Sequence, residues 1–212
     1  RQMCIRDRHY GEYNRKNVRP LLKEFMSASA AAVVERNLLA GVHWTIASPI
    51  QALVPRGGAD PVGGNDHAFR TVAKTAGMKQ YVVVDPLKPK TYEQAKLMLK
   101  APHCVGIKMH PEEHQYPITK HGRELFQFAA EHAKVLLFHS GCQNSEPGDY
   151  VKLADEYRDI TVILAHLGNG HDDGDSDLKG PWPPHWFASS RRMGTVPGLG
   201  EALSVINISE PT

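Results

Sequence analysis

The chain has 212 residues, of which 41% are hydrophobic and 23% charged, and its formal net charge is +2. This composition is ordinary for a globular domain that buries a core. The basic residues are scattered, which argues against a nucleic-acid partner, and no run approaches the roughly 20 apolar residues of a membrane helix. Cys4, Cys104 and Cys142 share no metal-binding or redox spacing, so we expect a reducing, cytoplasmic location.

The two ends of the chain have the character of foreign sequence. Residues 1–8 (RQMCIRDR) and 203–212 (LSVINISEPT) resemble translated adapter read-through rather than domain termini. We therefore expect one partial domain over residues 9–202, flanked by non-native ends at 1–8 and 203–212. Residues 171–202 contain no clean strand pattern, and their role is not assigned.

Between these ends, apolar runs rich in β-branched residues alternate with segments of helical period. A first helix is predicted over about 18–40, closed by Gly41. The predicted strands are 41–49, 80–86, 104–111, 135–141 and 160–168. Helical i, i+3, i+4, i+7 spacing is shown by Phe69, Val72, Ala73 and Ala76 and again by Tyr150, Leu153, Ala154 and Tyr157. Thr91 and Gln94 have the spacing of a capping box. Near-continuous apolar strands that alternate with helices predict an α/β fold with a parallel sheet.

Polar side chains appear where the predicted strands end. They are Ser48, Asp85, Lys108, His110, His139 and His166. In a parallel α/β barrel these positions share the C-terminal rim, where the active site lies. An open doubly wound sheet would place its ligands there too, but the chain has neither a GxGxxG turn after its first strands nor a P-loop. The pattern therefore predicts a site at this rim, without nucleotide binding.

Two of these residues are histidines in matching contexts. VLLFHSG and VILAHLG each end an apolar run in a histidine followed by a small-residue turn. Two imidazoles that lie together at one end of a buried sheet are unfavourable unless both bind the same ligand. Neutral imidazole nitrogens suit a divalent cation such as Zn²⁺, so the pair His139 and His166 predicts a metal site.

At these residues the chain resembles the amidohydrolase superfamily, in particular its amidohydrolase-related (type 2) branch, over about residues 9–170. The motifs that carry the resemblance are GIKMHP (106–111), FHSG (138–141) and ILAHLGNG (163–170). The resemblance implies an incomplete (β/α)8 TIM barrel, with about strands 2 to 6 readable and the first and last strands truncated. His139 and His166 match the family's histidine ligands on the fifth and sixth strands. His9, followed by Tyr10 and Gly11, matches the second histidine of its first-strand HxH pair.

The resemblance also implies an activity: a metal-dependent hydrolase that acts on a small amide, ester or lactone through metal-activated water. One divalent ion, expected to be Zn²⁺, is held by His9, His139 and His166, and the last two are catalytic through the metal. The family's eighth-strand aspartate, a ligand and proton acceptor, has no counterpart in this chain.

The substrate contacts predicted at the rim are Lys108, His110 and Asp85. Lys108 coincides with the place where some superfamily members carry a carboxylated, metal-bridging lysine, although a single metal is commoner in this branch. His110 either orients a substrate carboxylate or faces solvent beside Glu112, Glu113 and His114.

Two alternatives stay open. One is a metal-dependent non-oxidative decarboxylase of a small carboxylic acid on the same barrel, and the other is a catalytically inactive fragment. The expected partner is a small-molecule substrate, with neither nucleic acid nor membrane, and a homo-oligomer is left open.

Overall fold

The computed structural model describes residues 7–12, 27–140 and 144–165. The chain forms two compact units, Arg1–Gln115 and Tyr116–Thr212. In both units strands alternate with helices. Among the described residues, no helix is both long enough and apolar enough to cross a bilayer.

The first unit is built on four parallel strands that lie side by side in chain order. The strands are β1 (Asp7–Tyr10), β2 (Thr45–Pro49), β3 (Met78–Val83) and β4 (Cys104–Met109). The helices are α1 (Ala30–Leu39), α2 (Pro61–Val72), α3 (Lys90–Met98) and the single turn α4 (Pro111–His114). A short 3-10 turn, Ile50–Ala52, leads away from β2.

The second unit contains a pair of parallel strands, β5 (Val135–Phe138) and β6 (Thr161–Leu164). Its helices are α5 (Ile118–His132) and α6 (Gly148–Glu156). Phe138 of β5 packs on both helices, because its ring centroid lies 5.7 Å from that of Phe126 and 4.5 Å from that of Tyr150. One face of the pair is therefore covered by α5 and α6.

The α/β class and the parallel pairing are confirmed, and all five predicted strands form. Each is shorter than predicted: β2 begins four residues later than residue 41, whereas β3, β4, β5 and β6 end before the apolar runs do. β1 adds a strand that begins at Asp7, within the segment predicted to be non-native, and that prediction stays untested.

The predicted helices are right in kind and less accurate in extent. α1 covers only the end of the helix predicted over 18–40, and residues 18–26 lie outside the described residues. α2 ends at Val72, so Ala73 and Ala76 are exposed rather than part of a buried face. α6 does bury Tyr150 and Ala154, as its spacing predicted.

The core of the first unit lies between its strands and helices α1 and α2. Its cluster of buried side chains combines residues of β1, β2 and β3 with residues of both helices. The members are Tyr10, Ala30, Val33, Val34, Ala47, Ala68, Val72 and Met78. This cluster identifies the face of the strands that the helices cover. Because successive side chains on a strand point to opposite faces, the residues between these core positions point to the other face.

Candidate functional site at the strand ends

His9 and Ser48 lie together on the face of the first unit that the helices do not cover. Tyr10 and Ala47 pack against α1 and α2, so the neighbouring residues His9 and Ser48 point the other way. The two are partners in the register of β1 with β2. His9 is exposed, whereas Ser48 is fully buried and its hydroxyl has no hydrogen-bond partner in the described part of the chain.

The same alternation brings Lys108 to this face. Ala47 is paired with Gln80 on the helix side, so Val83, three residues later, lies on the opposite side with its partner Lys108. Asp85 follows Val83 by two residues, just after β3 ends. Lys108 is 0% exposed and Asp85 2% exposed. The carboxyl ends of two adjacent strands therefore carry a buried lysine and a buried aspartate.

Asp85 is held in place by the turn that leads into α3. Its N–H donates to the hydroxyl of Thr91 (3.1 Å), which donates back to its carbonyl oxygen (3.0 Å). Its carboxylate accepts from the N–H of Leu87 at 3.0 Å. The capping box predicted for Thr91 and Gln94 is wrong, because α3 already begins at Lys90. Thr91 instead fixes the backbone of a predicted site residue.

His110 begins the short helix α4 rather than facing solvent. Its Nδ1 accepts from the N–H of Glu113 at 3.3 Å, and its side chain is only 8% exposed. Glu112, Glu113 and His114 are buried as well. The solvent-facing interpretation of this segment is therefore wrong, and α4 forms part of the wall behind the strand ends.

His114 is a buried titratable residue that the sequence analysis did not select. Its Nε2 lies 2.9 Å from the carbonyl oxygen of Ala52. A carbonyl oxygen only accepts, so Nε2 carries the hydrogen and the neutral ring has its lone pair on Nδ1. Burial lowers the pKa of His114, and the charges of Lys88 and Lys108 act in the same direction, while Asp85 and the bond to Ala52 oppose them. His114 thus senses both charged residues of the rim and is held neutral among them.

The loop after β2 is fastened to α4 by charges and by backbone. Arg56 lies 3.7 Å from a carboxylate oxygen of Glu112 and 3.8 Å from one of Glu113. The N–H of Gly57 donates to the carbonyl oxygen of Glu113 at 2.9 Å. Together with the contact between His114 and Ala52, these interactions connect the segment after β2 to α4 at the ends of the strands.

In the second unit, His139 directly follows the last residue of β5. The side chain of His139 is half-buried, whereas Phe138 before it is fully buried against α5 and α6. The next residue, Ser140, is 0% exposed, and its hydroxyl donates to the carbonyl oxygen of Ala165 at 2.9 Å. Ala165 is the residue immediately before His166.

His166 lies outside the described residues. The last residue pair of β5 with β6 is Phe138 with Leu164, so the printed register reaches neither of the two predicted histidine ligands.

A family model described as Amidohydrolase matches residues 59–199, more than half of the chain. The chain belongs to the amidohydrolase family. Amidohydrolases are TIM barrels, so the parallel strands and alternating helices are part of a (β/α) barrel, as predicted. No curated protein and no solved structure matches the chain.

Amidohydrolases generally depend on a metal, and the ligands predicted for it in this chain are histidines. Within residues 7–12, 27–140 and 144–165, no three His, Cys, Asp or Glu side chains form a group that could hold an ion. Any set that includes His166 falls outside that range. The donor chemistry does fit: His139 is a half-buried imidazole directly after the end of β5, and Ser140 bonds to the residue that precedes His166.

A surface groove of about 570 Å³ lies away from these strand ends. It is lined by one side of α1, from Ala31 to Leu39, and by residues 74–76, which precede β3. It contains none of the predicted site residues.

Proposed function

We propose that this amidohydrolase is a metal-dependent hydrolase of a small amide, ester or lactone. His139 and His166 are the ligands that the motifs favour most, and His9 is the third predicted ligand. One divalent ion, expected to be Zn²⁺, would supply Lewis acidity and a water activated for attack on a carbonyl carbon. The observation that carries the proposal is the position of His139, half-buried and directly after β5 in a chain of this family.

The substrate side of the proposal rests on Lys108, Asp85 and His110. The ammonium of Lys108 is buried, so a substrate oxygen that reaches it gains more from the charge than it would in water. Asp85 accepts an N–H from its own turn, which fixes its carboxylate for a second contact with a donor on the substrate. His110 is anchored at the start of α4 and lines the same strand end.

A decarboxylase of a small carboxylic acid is the second candidate. What favours it is that the charges of Lys88 and Lys108 both lower the pKa of His114, beside burial and against the opposing charge of Asp85, while Lys108 itself is buried at the end of β4. Positive charge at the strand ends suits a substrate carboxylate. Assays with lactones and with aromatic carboxylic acids, with carbon dioxide release recorded in parallel, separate the two candidates: gas release without lactone hydrolysis would replace the first with the second.

The metal proposal is tested by elemental analysis of the purified protein and of the double variant His139→Ala, His166→Ala. We expect the wild-type protein to carry close to one equivalent of metal and the double variant to lose it. The matched control replaces two exposed histidines, His43 and His67, by alanine and should keep its metal. Equal metal content in the double variant and the wild-type protein would contradict the proposal.

A further inference from the structure

Helix α1 carries more apolar surface than the core of the first unit covers. Seven of its ten residues are alanine, valine or leucine. The core covers one side of the helix, where Val33, Val34 and Asn37 are buried. A helix that is apolar around most of its circumference is normally covered on more than one side. On α1 the second side is exposed, with Leu38 and Leu39 facing solvent.

Large apolar side chains are concentrated at the end of this helix. Leu38 is 50% exposed, Leu39 84% exposed and Trp44, shortly after the helix, 48% exposed. In the described part of the chain only Leu87 and Leu97 are comparably exposed large apolar residues. Single exposed apolar residues are ordinary, but three within a stretch of seven residues form a patch. Such a patch is typical of a surface that another protein covers.

The groove of about 570 Å³ described above lies beside the two leucines, which form part of its wall. Ala31, Val34 and Glu35 also line it from α1, and residues 74–76 complete it. The same surface therefore provides a recess and, in Leu39, a side chain that projects from the rim of that recess. A contact between two identical surfaces needs both features on one surface, because each copy must give and receive the same side chain.

The charges of the groove are also complementary to themselves. Glu35 on α1 and Lys74 after α2 both line the groove, and both are exposed. When two copies meet about a twofold axis, residue i of each copy contacts residue j of the other. Glu35 can then lie beside the partner's Lys74, and Lys74 beside the partner's Glu35. One carboxylate and one ammonium on a single surface thus form two ion pairs in a dimer.

We propose that this surface of α1 and residues 74–76 is the interface between two copies of the chain. Leu38 and Leu39 of each copy enter the groove of the other, and Glu35 and Lys74 pair across the interface. The apolar contact supplies affinity, and the charges fix the orientation of the two copies. The inference is independent of the proposed function, because the groove contains none of the predicted site residues.

The chain offers a matched pair of variants for the apolar contact. Leu39→Lys introduces a charge at the proposed interface, and Leu97→Lys introduces the same charge elsewhere in the first unit. Leu97 is 68% exposed and lies in the last turn of α3, as Leu39 lies in the last turn of α1. A lysine in the last turn of a helix interacts favourably with the helix dipole, so we expect both variants to fold. Circular dichroism checks this for every variant.

A second set of variants tests the charge pairing. Glu35→Lys and Lys74→Glu each place like charges opposite one another in the proposed dimer. The double variant, with both changes, restores opposite charges with their positions exchanged. Because both side chains are exposed, we expect none of these variants to unfold the first unit.

Sedimentation equilibrium measures the dissociation constant of the dimer from its 23.5 kDa chains. Protein concentrations from about 1 μM to about 1 mM cover interfaces of moderate affinity. We expect a wild-type dimer, a dissociation constant at least about 10-fold higher for Leu39→Lys, and one within about twofold of wild type for Leu97→Lys. Each single charge reversal should raise the constant by about threefold or more, and the double variant should return to within about twofold of wild type.

Three results would overturn the proposal. A wild-type protein that stays monomeric over this range would show that the groove has another occupant or none. A dimer or larger assembly that Leu39→Lys leaves unchanged, or weakens no more than Leu97→Lys does, would place the contact elsewhere on the chain. Single charge reversals without effect, or without recovery in the double variant, would contradict the pairing of Glu35 with Lys74.

Discussion

Replacing Asn65 by alanine should destabilise the first unit more than any surface change in α2. The side chain of Asn65 is 0% exposed and spans from the helix to the backbone of β3. Its Nδ2 donates to the carbonyl oxygen of Val83 at 2.8 Å, and its Oδ1 accepts from the N–H of Val83 at 2.9 Å. The N–H of Val84 points to β4, so the two groups of Val83 point to the opposite side, where β2 no longer pairs.

The size of the effect follows from those two groups. Alanine leaves both the N–H and the carbonyl group of Val83 buried without a partner, and each such group costs about 1–3 kcal/mol. The expected loss in free energy of unfolding is therefore about 2–6 kcal/mol, a large part of the about 5–15 kcal/mol that stabilises a typical domain. Because Asp85 lies two residues after Val83, the loss also loosens a predicted substrate contact.

Urea unfolding followed by circular dichroism measures this loss as a shift in midpoint at constant slope. The matched control is Asp66→Ala on the same helix. Asp66 accepts one side-chain bond from Gln94 and contacts no strand backbone through the bonds described, so we expect it to cost less than about 1 kcal/mol. A loss below about 1 kcal/mol for Asn65→Ala, or equal losses in the two variants, would refute the reasoning.

Two further predictions concern buried positions behind the strand ends. Burial lowers the pKa of His114, so just below its ordinary pKa the unfolded chain binds a proton that the folded chain does not, and stability falls as the pH falls through that range. His114→Gln can still donate to the carbonyl oxygen of Ala52 but does not titrate. It should therefore remove up to about 1.4 kcal/mol per pH unit of this pH dependence of the free energy of unfolding. Urea midpoints between pH 7 and pH 5 measure the effect, and an unchanged slope against pH would contradict it. Gly64→Ala places a Cβ 2.7 Å from the Cβ and N of Ala52, so overpacking of about 1–3 kcal/mol should outweigh the helix propensity gained. A melting temperature equal to or above that of wild type would show that the loop yields instead.

The sequence was informative wherever burial on both faces imposed a pattern. Apolar runs that end in a polar residue predicted the strands and the placement of Ser48, Asp85 and Lys108, because parallel strands bring their carboxyl ends to one edge. The family resemblance was equally readable, since the motifs around Lys108 and His139 are local. These features need only a few consecutive residues to be recognised.

The features that the sequence did not reveal depend on contacts between distant parts of the chain. His114 and Ala52 are 62 positions apart, and α4, at four residues, is too short to show helical periodicity. The bonds of Asn65 to Val83 have no local sequence signal, because they depend on the divergence of β2 from β3. Asp60 is the residue that caps α2, directly before Pro61.

The bonds between the loop after β2 and α4 have a consequence for how the protein can change. Loops at the ends of barrel strands are usually treated as exchangeable parts, each varied alone to alter specificity. Here Arg56, Gly57 and Ala52 on one loop are partners of Glu112, Glu113 and His114 on the other. A library that randomised either loop alone would remove the ion pairs and hydrogen bonds that join the two segments, so both segments should be exchanged or diversified together.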